Sequence, residues 1–289
     1  MHPLDRVPPP VLAIAAIVSV QFSNAFARTY FEATGPLGAA TLRLLFATAL
    51  LLLIVRPNVR DWNRRTWIAV AVLGLALGGM NSFIYLAIDA IPIGVAVTVE
   101  FLGPLAVALV QVRRWADAAW ALLALAGVVL LGFDESAALS WVGLLLAAAA
   151  GAFWAAYIVT SSRLGATQNG LHPLAVAMVV AMLVVTPFGA ADAAAAVVAQ
   201  PWLVVLFLLV AAGTSAIPYA LEYVALRRMP TRVFGILSSL GPAMAALAGL
   251  VVLRQQLGWT QLLALVLVTV ASVGVTLTAR RTPPEPVLD

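Results

Sequence analysis

The sequence predicts an all-α polytopic membrane protein with ten transmembrane helices in two inverted five-helix repeats. Three observations predict it: an apolar composition, ten hydrophobic runs of spanning length, and an internal repeat whose copies cross the bilayer in opposite directions. Of 289 residues, 63% are hydrophobic and 10% are charged, with a mean hydropathy of +1.05. Soluble domains carry about 25% charged residues. A soluble fold could not hide this much apolar surface, so the solvent of this chain is lipid.

A bilayer core of about 30 Å needs about 20 apolar residues in a helix. Such runs lie near 11–31, 36–55, 67–88, 93–112 and 116–133, and near 139–160, 173–193, 202–226, 231–252 and 259–279. With the N-terminus in the cytoplasm, the inside segments hold Arg6, Arg56, Arg60, Arg64, Arg65, Arg113, Arg114, Arg163, Arg227, Arg228, Arg232, Arg280 and Arg281. The outside segments hold only Arg28 and Arg254, and Arg43 lies within the second span. This asymmetry is the positive-inside pattern, and it places both termini in the cytoplasm. The net charge of +4 is therefore a topology signal, with no nucleic-acid partner implied. Residues 11–22 followed by Ala25-Phe26-Ala27 resemble a signal-peptide core and cleavage site. The repeat needs five spans per half, so this segment is expected to remain as the first span.

Aligned on itself at an offset of 138, the chain repeats Tyr85-Leu-Ala87 as Tyr223-Val-Ala225, Pro92 as Pro230, and Leu102-Gly103-Pro104 as Leu240-Gly241-Pro242. An odd number of spans separates the copies, so equivalent helices run oppositely. The halves are 1–135 and 136–281, with a cytoplasmic tail at 282–289. Inverted repeats are characteristic of secondary transporters, which bind substrate near the midplane between halves. An ancient duplication in another kind of membrane protein is the bland alternative. Gly74-x-x-x-Gly78 reads as helix packing. The chain has no Cys, and His2 and His172 stand in no ligand cluster, so neither a metal nor a cofactor is expected. No Walker-type loop is present, which leaves an ion gradient or the substrate's own gradient as the driving force.

A charge at helix centre costs about 2.5–3.5 kcal/mol on insertion scales, so Arg43 and Glu100 invite a functional reading. At about 1.5 Å per residue, both lie roughly 10 Å inside the outer surface. Gln21, Asn24 and Asn81 fall in or near the same layer, so polar residues from four helices share it. A cation, an anion and amides are what a zwitterionic amino acid requires, and guanidinium grips carboxylate in a fork. Arg43 and Glu100 could equally neutralise each other and pin the helices. Pro104 frees the carbonyl of Glu100, Pro242 that of Ser238, its repeat mate, and Pro218 that of Thr214. Irregular backbone at this depth is tolerated where it lines a cavity or is buried in protein. Trp154, Tyr157 and Tyr219 are candidates to wall the cavity, or else packing and interfacial anchors. Tyr85, from the repeated segment, and Ser238 complete the candidate substrate-binding set. Glu222 reads as a gate or a surface ion pair beside Arg227 and Arg228. Glu100 is the one acid placed deep in a span, hence the candidate proton carrier.

Gly78-Gly79-Met80-Asn81, Pro92 and Glu100-Phe-Leu-Gly-Pro-Leu-Ala-Val-Ala-Leu109 resemble the drug/metabolite transporter superfamily. Gln21, Leu42-Arg43-Leu44, Gly151-x-x-Trp154-x-x-Tyr157, Pro218-Tyr219-x-Leu-Glu222 and Pro230-Thr231-Arg232-x-Phe234-Gly235 extend the likeness over roughly 10–280. Within that superfamily the chain is most similar to the bacterial inner-membrane threonine/homoserine exporters of the EamA type. The resemblance implies a cavity between the halves and export of small amino acids by proton antiport, with amino acid, protons and lipid bilayer as partners. A homodimer is compatible with it. Two positions depart from the family pattern: Gly241, where a Glu is common before the second-half Pro, and Arg254-Gln255, where Gly-Glu is frequent. Export of aromatic amino acids or cationic drugs is the alternative within the superfamily. An enzyme would need a catalytic constellation, and no His, Cys or paired carboxylates converge within the spans.

The charge pattern generates a test. A reporter fused after Asp289 is expected to report cytoplasm, and one inserted at 134–136 periplasm. Two reporters on one side would refute ten spans with inverted halves.

Overall fold

The computed structural model describes residues 7–110, 115–132, 140–165, 171–218, 221, 237 and 239–278, and all regular structure among them is helical. The elements are α1 (Pro9–Arg28), α2 (Phe31–Val55), α3 (Arg64–Ala90), α4 (Ile93–Glu100), α5 (Leu102–Val110) and α6 (Trp115–Gly132). They continue with α7 (Trp141–Gly165), α8 (His172–Ala199), α9 (Leu203–Ala211), a π-helical turn (Ala212–Ala216), α10 (Gly241–Leu253) and α11 (Trp259–Thr278). Among the described residues five helices are long and apolar enough to cross a membrane: Pro9–Arg28, Phe31–Val55, Arg64–Ala90, Trp141–Ser161 and His172–Ala199. Shorter apolar helices cover Ile93–Val107, Leu203–Ser215, Gly241–Leu253 and Trp259–Ala271. Tyr219, Glu222 and Ser238 lie outside the described residues.

Proline accounts for where the helices break. The fourth apolar run is two helices meeting at Phe101, because Pro104 has no N–H to offer the carbonyl of Glu100. At the matching Leu240-Gly241-Pro242, α10 begins with proline in its first turn, where a missing N–H costs nothing. The second run is kinked where expected to start: Gly35, before Pro36, has φ 62° and ψ 160°, a region open essentially to glycine alone. Near Pro218 the helix widens into a π turn, closed by the Ile217 N–H on the carbonyl of Ala212.

Small residues bring the helices together, as expected where lipid gives no hydrophobic drive to associate. Gly74 and Gly78 of α3 face Ala177, Val180 and Ala181 of α8, while Gly79 lies under Phe153 of α7. Gly38 of α2 abuts Ala193 of α8, and Gly189 of α8 lies against the Leu37 carbonyl. The main core joins α1–α4 with α7–α10, and α6 pairs with α11 beside it. Large apolar side chains also cover the outside: Phe188 is 72% and Val198 82% exposed. An apolar exterior around an apolar interior suits a bundle immersed in lipid.

The tightest approach is at the α4–α5 break. A Cβ on Gly103 would overlap the carbonyl of Gly151, and one on Gly151 would stand 2.7 Å from the carbonyl oxygen of Glu100. Overpacking typically costs about 1–3 kcal/mol. Gly103→Ala is therefore expected to lower the thermal midpoint in detergent by several degrees. An unchanged midpoint would show that α5 and α7 do not touch there.

Candidate functional site

The side chain that organises the polar layer is Arg43, on α2 and 8% exposed. Its Nε donates to Thr214 Oγ1 at 3.1 Å and its Nη1 to Asn24 Oδ1 at 3.2 Å. The guanidinium carbon stands 5.3 Å from the centre of the Tyr85 ring, a cation–π contact. The Tyr85 hydroxyl donates to the same Asn24 oxygen at 3.5 Å, and its ring leans on Phe31 at 5.3 Å. One cation thus gathers α1, α2, α3 and the π turn after α9. Of the five N–H donors of a guanidinium, Thr214 and Asn24 occupy two.

Thr214 reaches Arg43 from the π turn. Its hydroxyl donates to the Val210 carbonyl at 2.9 Å and accepts from Arg43. The turn is fixed to α1 by Ser19, whose hydroxyl donates to the Gly213 carbonyl at 2.7 Å, and Gly213 lets Ser23 approach. Pro218 was the sequence signal at this place, but it pointed to the Thr214 carbonyl and not to its hydroxyl.

The structure brings Gln21, Asn24, Arg43, Asn81, Tyr85 and Glu100 into the interior, all buried. Asn81 donates from Nδ2 to the Leu77 carbonyl of its own helix at 2.8 Å, and among the described residues its Oδ1 has no partner. Gln21 Oε1 is likewise buried without a partner. Glu100 closes α4 within electrostatic reach of Arg43, yet among the described residues the two form no ion pair; the one observed joins Arg28 to Asp89 at 3.2 Å. A direct pinning pair is thus not what holds these helices. Trp154 is half-buried and meets Phe101 edge to face at 5.6 Å, which sets it beside the α4–α5 break. Tyr157 is half-buried on the main core. Sequence reasoning missed Thr214 as a side-chain partner and Phe101 as the link between Trp154 and the break.

Gln255 has a role too. Its Oε1 accepts from the Ile93 N–H at 3.1 Å, satisfying a free donor at the start of α4, the helix that ends in Glu100. His172 Nδ1 accepts from the Asn58 N–H at 3.2 Å at the start of α8, which ties that helix to the α2–α3 loop. A cleft of about 350 Å³ lined by Arg28, Glu32 and Gln255 lies by the α1–α2 turn, apart from the polar layer.

Thr214 gives a test of the arrangement. Hydrogen bonds to charged groups contribute about 1.5–3 kcal/mol. Thr214→Val is expected to lower transport at least about ten-fold, and Thr214→Ser to keep it near wild type. Equal activity of both variants would remove Thr214 as the anchor of Arg43.

Comparisons with known proteins identify the family. The EamA-like transporter family matches residues 141–277. Threonine/homoserine exporter RhtA of Salmonella typhimurium strain SL1344 is 40% identical over 279 residues, covering 95% of this chain and 93% of that one. Threonine/homoserine exporter RhtA of Escherichia coli strain K12 is 40% identical over 277 residues, covering 94% and 92%. A protein of known crystal structure superposes with a TM-score of 0.58 at 22% identity, over 96% of this chain and 98% of that one, and this bears on the fold alone. The chain is a multi-pass membrane protein and a transporter, not an enzyme: it belongs to the EamA-like transporter family.

Proposed function

We propose that the chain is a secondary active exporter of small amino acids of the threonine and homoserine class, working by proton antiport. It sits in the bacterial inner membrane as ten spans, with halves 1–135 and 136–281 inverted relative to each other and both termini cytoplasmic. The observation that carries the reading is Arg43: a buried guanidinium that, among the described residues, hydrogen-bonds to the neutral oxygens of Thr214 and Asn24 and makes no ion pair. A buried charge without a counter-ion is costly, and a substrate carboxylate would relieve it. The names of relatives at 40% identity support the substrate class.

Glu100 supplies the complementary half. It is buried at the end of α4 and makes no ion pair among the described residues. A proton and a substrate ammonium compete for this one carboxylate, and that competition is antiport in its simplest form. Substrate entering from the cytoplasm displaces the proton, and a proton entering from outside displaces the substrate. Asn24, Asn81, Gln21 and Tyr85 line the same layer and serve the remaining polar atoms. Trp154, Tyr157, Tyr219 and Ser238 are assigned to the wall contributed by the second half.

The test is movement of labelled threonine and homoserine in proteoliposomes, with and without an imposed pH gradient. Arg43→Ala is expected to reduce transport by at least about ten-fold while the protein still reaches the membrane. Glu100→Gln is expected to retain exchange and to lose gradient-driven accumulation. Undiminished accumulation by Glu100→Gln would remove the proton role. Wild-type chain that moves neither amino acid would remove the substrate class.

A further inference from the structure

Most glycines in this bundle are where they are because a side chain would collide. A Cβ on Gly79 would meet the Phe153 ring at 2.6 Å, one on Gly94 would meet Ala246 at 2.9 Å, and Gly103 and Gly189 face carbonyl groups. Gly35 is required by its positive φ. Gly241 has neither reason. A Cβ built there has Phe101 at 3.8 Å and Gln21 Nε2 at 3.9 Å as its nearest neighbours among the described residues, ordinary van der Waals distances. The site opens toward a particular set of groups. Gln21 is on α1, Phe101 is at the α4–α5 break directly after Glu100, and Trp154 of α7 stands edge-on behind Phe101. Gln21 is nine-tenths buried, and among the described residues its Oε1 has no donor. A buried amide oxygen left unsatisfied is unfavourable, so this atom suits a ligand that brings a donor.

We propose that Gly241, Gln21 and Phe101 form the side-chain subsite of the transported molecule, in which Gly241 leaves the volume and the Gln21 amide binds a side-chain hydroxyl. The inference rests on the amino-acid reading above and refines it. Phe101 follows Glu100 at the α4–α5 break, so the space bordered by Phe101 and Gln21 lies one residue along the chain from the carboxylate that would hold the ammonium. From there a short polar side chain meets the amide of Gln21 across the space that Gly241 leaves open. A larger residue at 241 would fill that space from the start of α10. Position 241 thus sets the size limit, and Gln21 the preference for a hydroxyl over a methyl of similar shape. Sites built to hydrogen-bond a substrate hydroxyl reject the analogue lacking it more strongly than apolar pockets reject an added methylene.

The experiment is competition in inverted vesicles: unlabelled threonine, homoserine, valine and alanine against transport of labelled threonine. Valine is threonine with a methyl in place of the hydroxyl. Wild type is expected to prefer threonine to valine by about ten-fold or more. Gln21→Leu is expected to bring that ratio close to one. Gly241→Ala is expected to weaken competition by homoserine and threonine relative to alanine by about ten-fold, with normal amounts of protein in the membrane. An unchanged order of competitors in both variants would overturn the subsite. Failure of Gly241→Ala to accumulate would overturn the open space itself. Where wild type instead moves larger metabolites, the amino-acid reading falls, and the subsite stands only if Gly241→Ala still selects against the larger competitors.

Discussion

A guanidinium kept out of water must be given oxygen atoms, and the polar layer of this bundle is arranged around that requirement. Arg43 takes one oxygen from α1, through Asn24, and one from the turn after α9, through Thr214, and lies over the ring of Tyr85 on α3. These elements are distant in sequence, so one side chain sets the relative positions of segments from both ends of the chain. The π turn is part of the same solution. A regular helix through Pro218 would lack one N–H for its own carbonyls, and widening the turn redistributes the remaining donors. The turn that results carries the Thr214 hydroxyl to Nε of Arg43.

The second constraint is the solvent. In lipid, helices gain little by burying Leu against Leu, and close backbone approach takes over. That explains why glycines of α3 lie where it meets α7 and α8. It also explains how a broken helix survives at this depth. The carbonyl of Glu100 has no N–H four residues on, because that residue is Pro104, and Gly151 of α7 packs directly against it. The break is enclosed by protein and opens toward the interior, where Phe101 and Trp154 meet.

Much of this was legible in the sequence because proline and charge act locally. The second run was expected to start at 36, beside the kink found at Gly35, Pro104 marked the division of the fourth span, and its insertion cost singled out Arg43. Helical rise placed Asn24 and Arg43 at one depth, and they touch. Depth, however, says nothing about which way a side chain faces. Arg43 and Glu100 share a layer, and only the rotation of α2 against α4 decides whether they pair; that rotation is set by packing across the whole bundle. Thr214 was hidden for a related reason. A threonine in an apolar helix usually returns its hydroxyl to its own backbone, as Thr98 does to Gly94 at 2.6 Å, and nothing local distinguishes one that also accepts from an arginine. Gln255 was visible only as a departure from a family pattern, and its bond to Ile93 N–H gives that departure a structural use.

Under the proposed function, the separation of Arg43 from Glu100 has a consequence for selectivity. Two buried opposite charges in contact would satisfy each other, and any ligand would have to displace one to reach the other. Held apart, each keeps an electrostatic debt to the low-dielectric interior that only an incoming charge offsets. In the proposed reading a zwitterion settles both at once, whereas a simple cation or a simple anion settles one and leaves the other. The neutral groups around them fit that division of labour. Asn24 and Thr214 give Arg43 enough hydrogen bonding to hold its position without cancelling its charge. The oxygens of Gln21 and Asn81, without a partner among the described residues, can take donors but carry no charge of their own. In that reading charge selects the amino-acid backbone, and the amides with the space at Gly241 select among side chains.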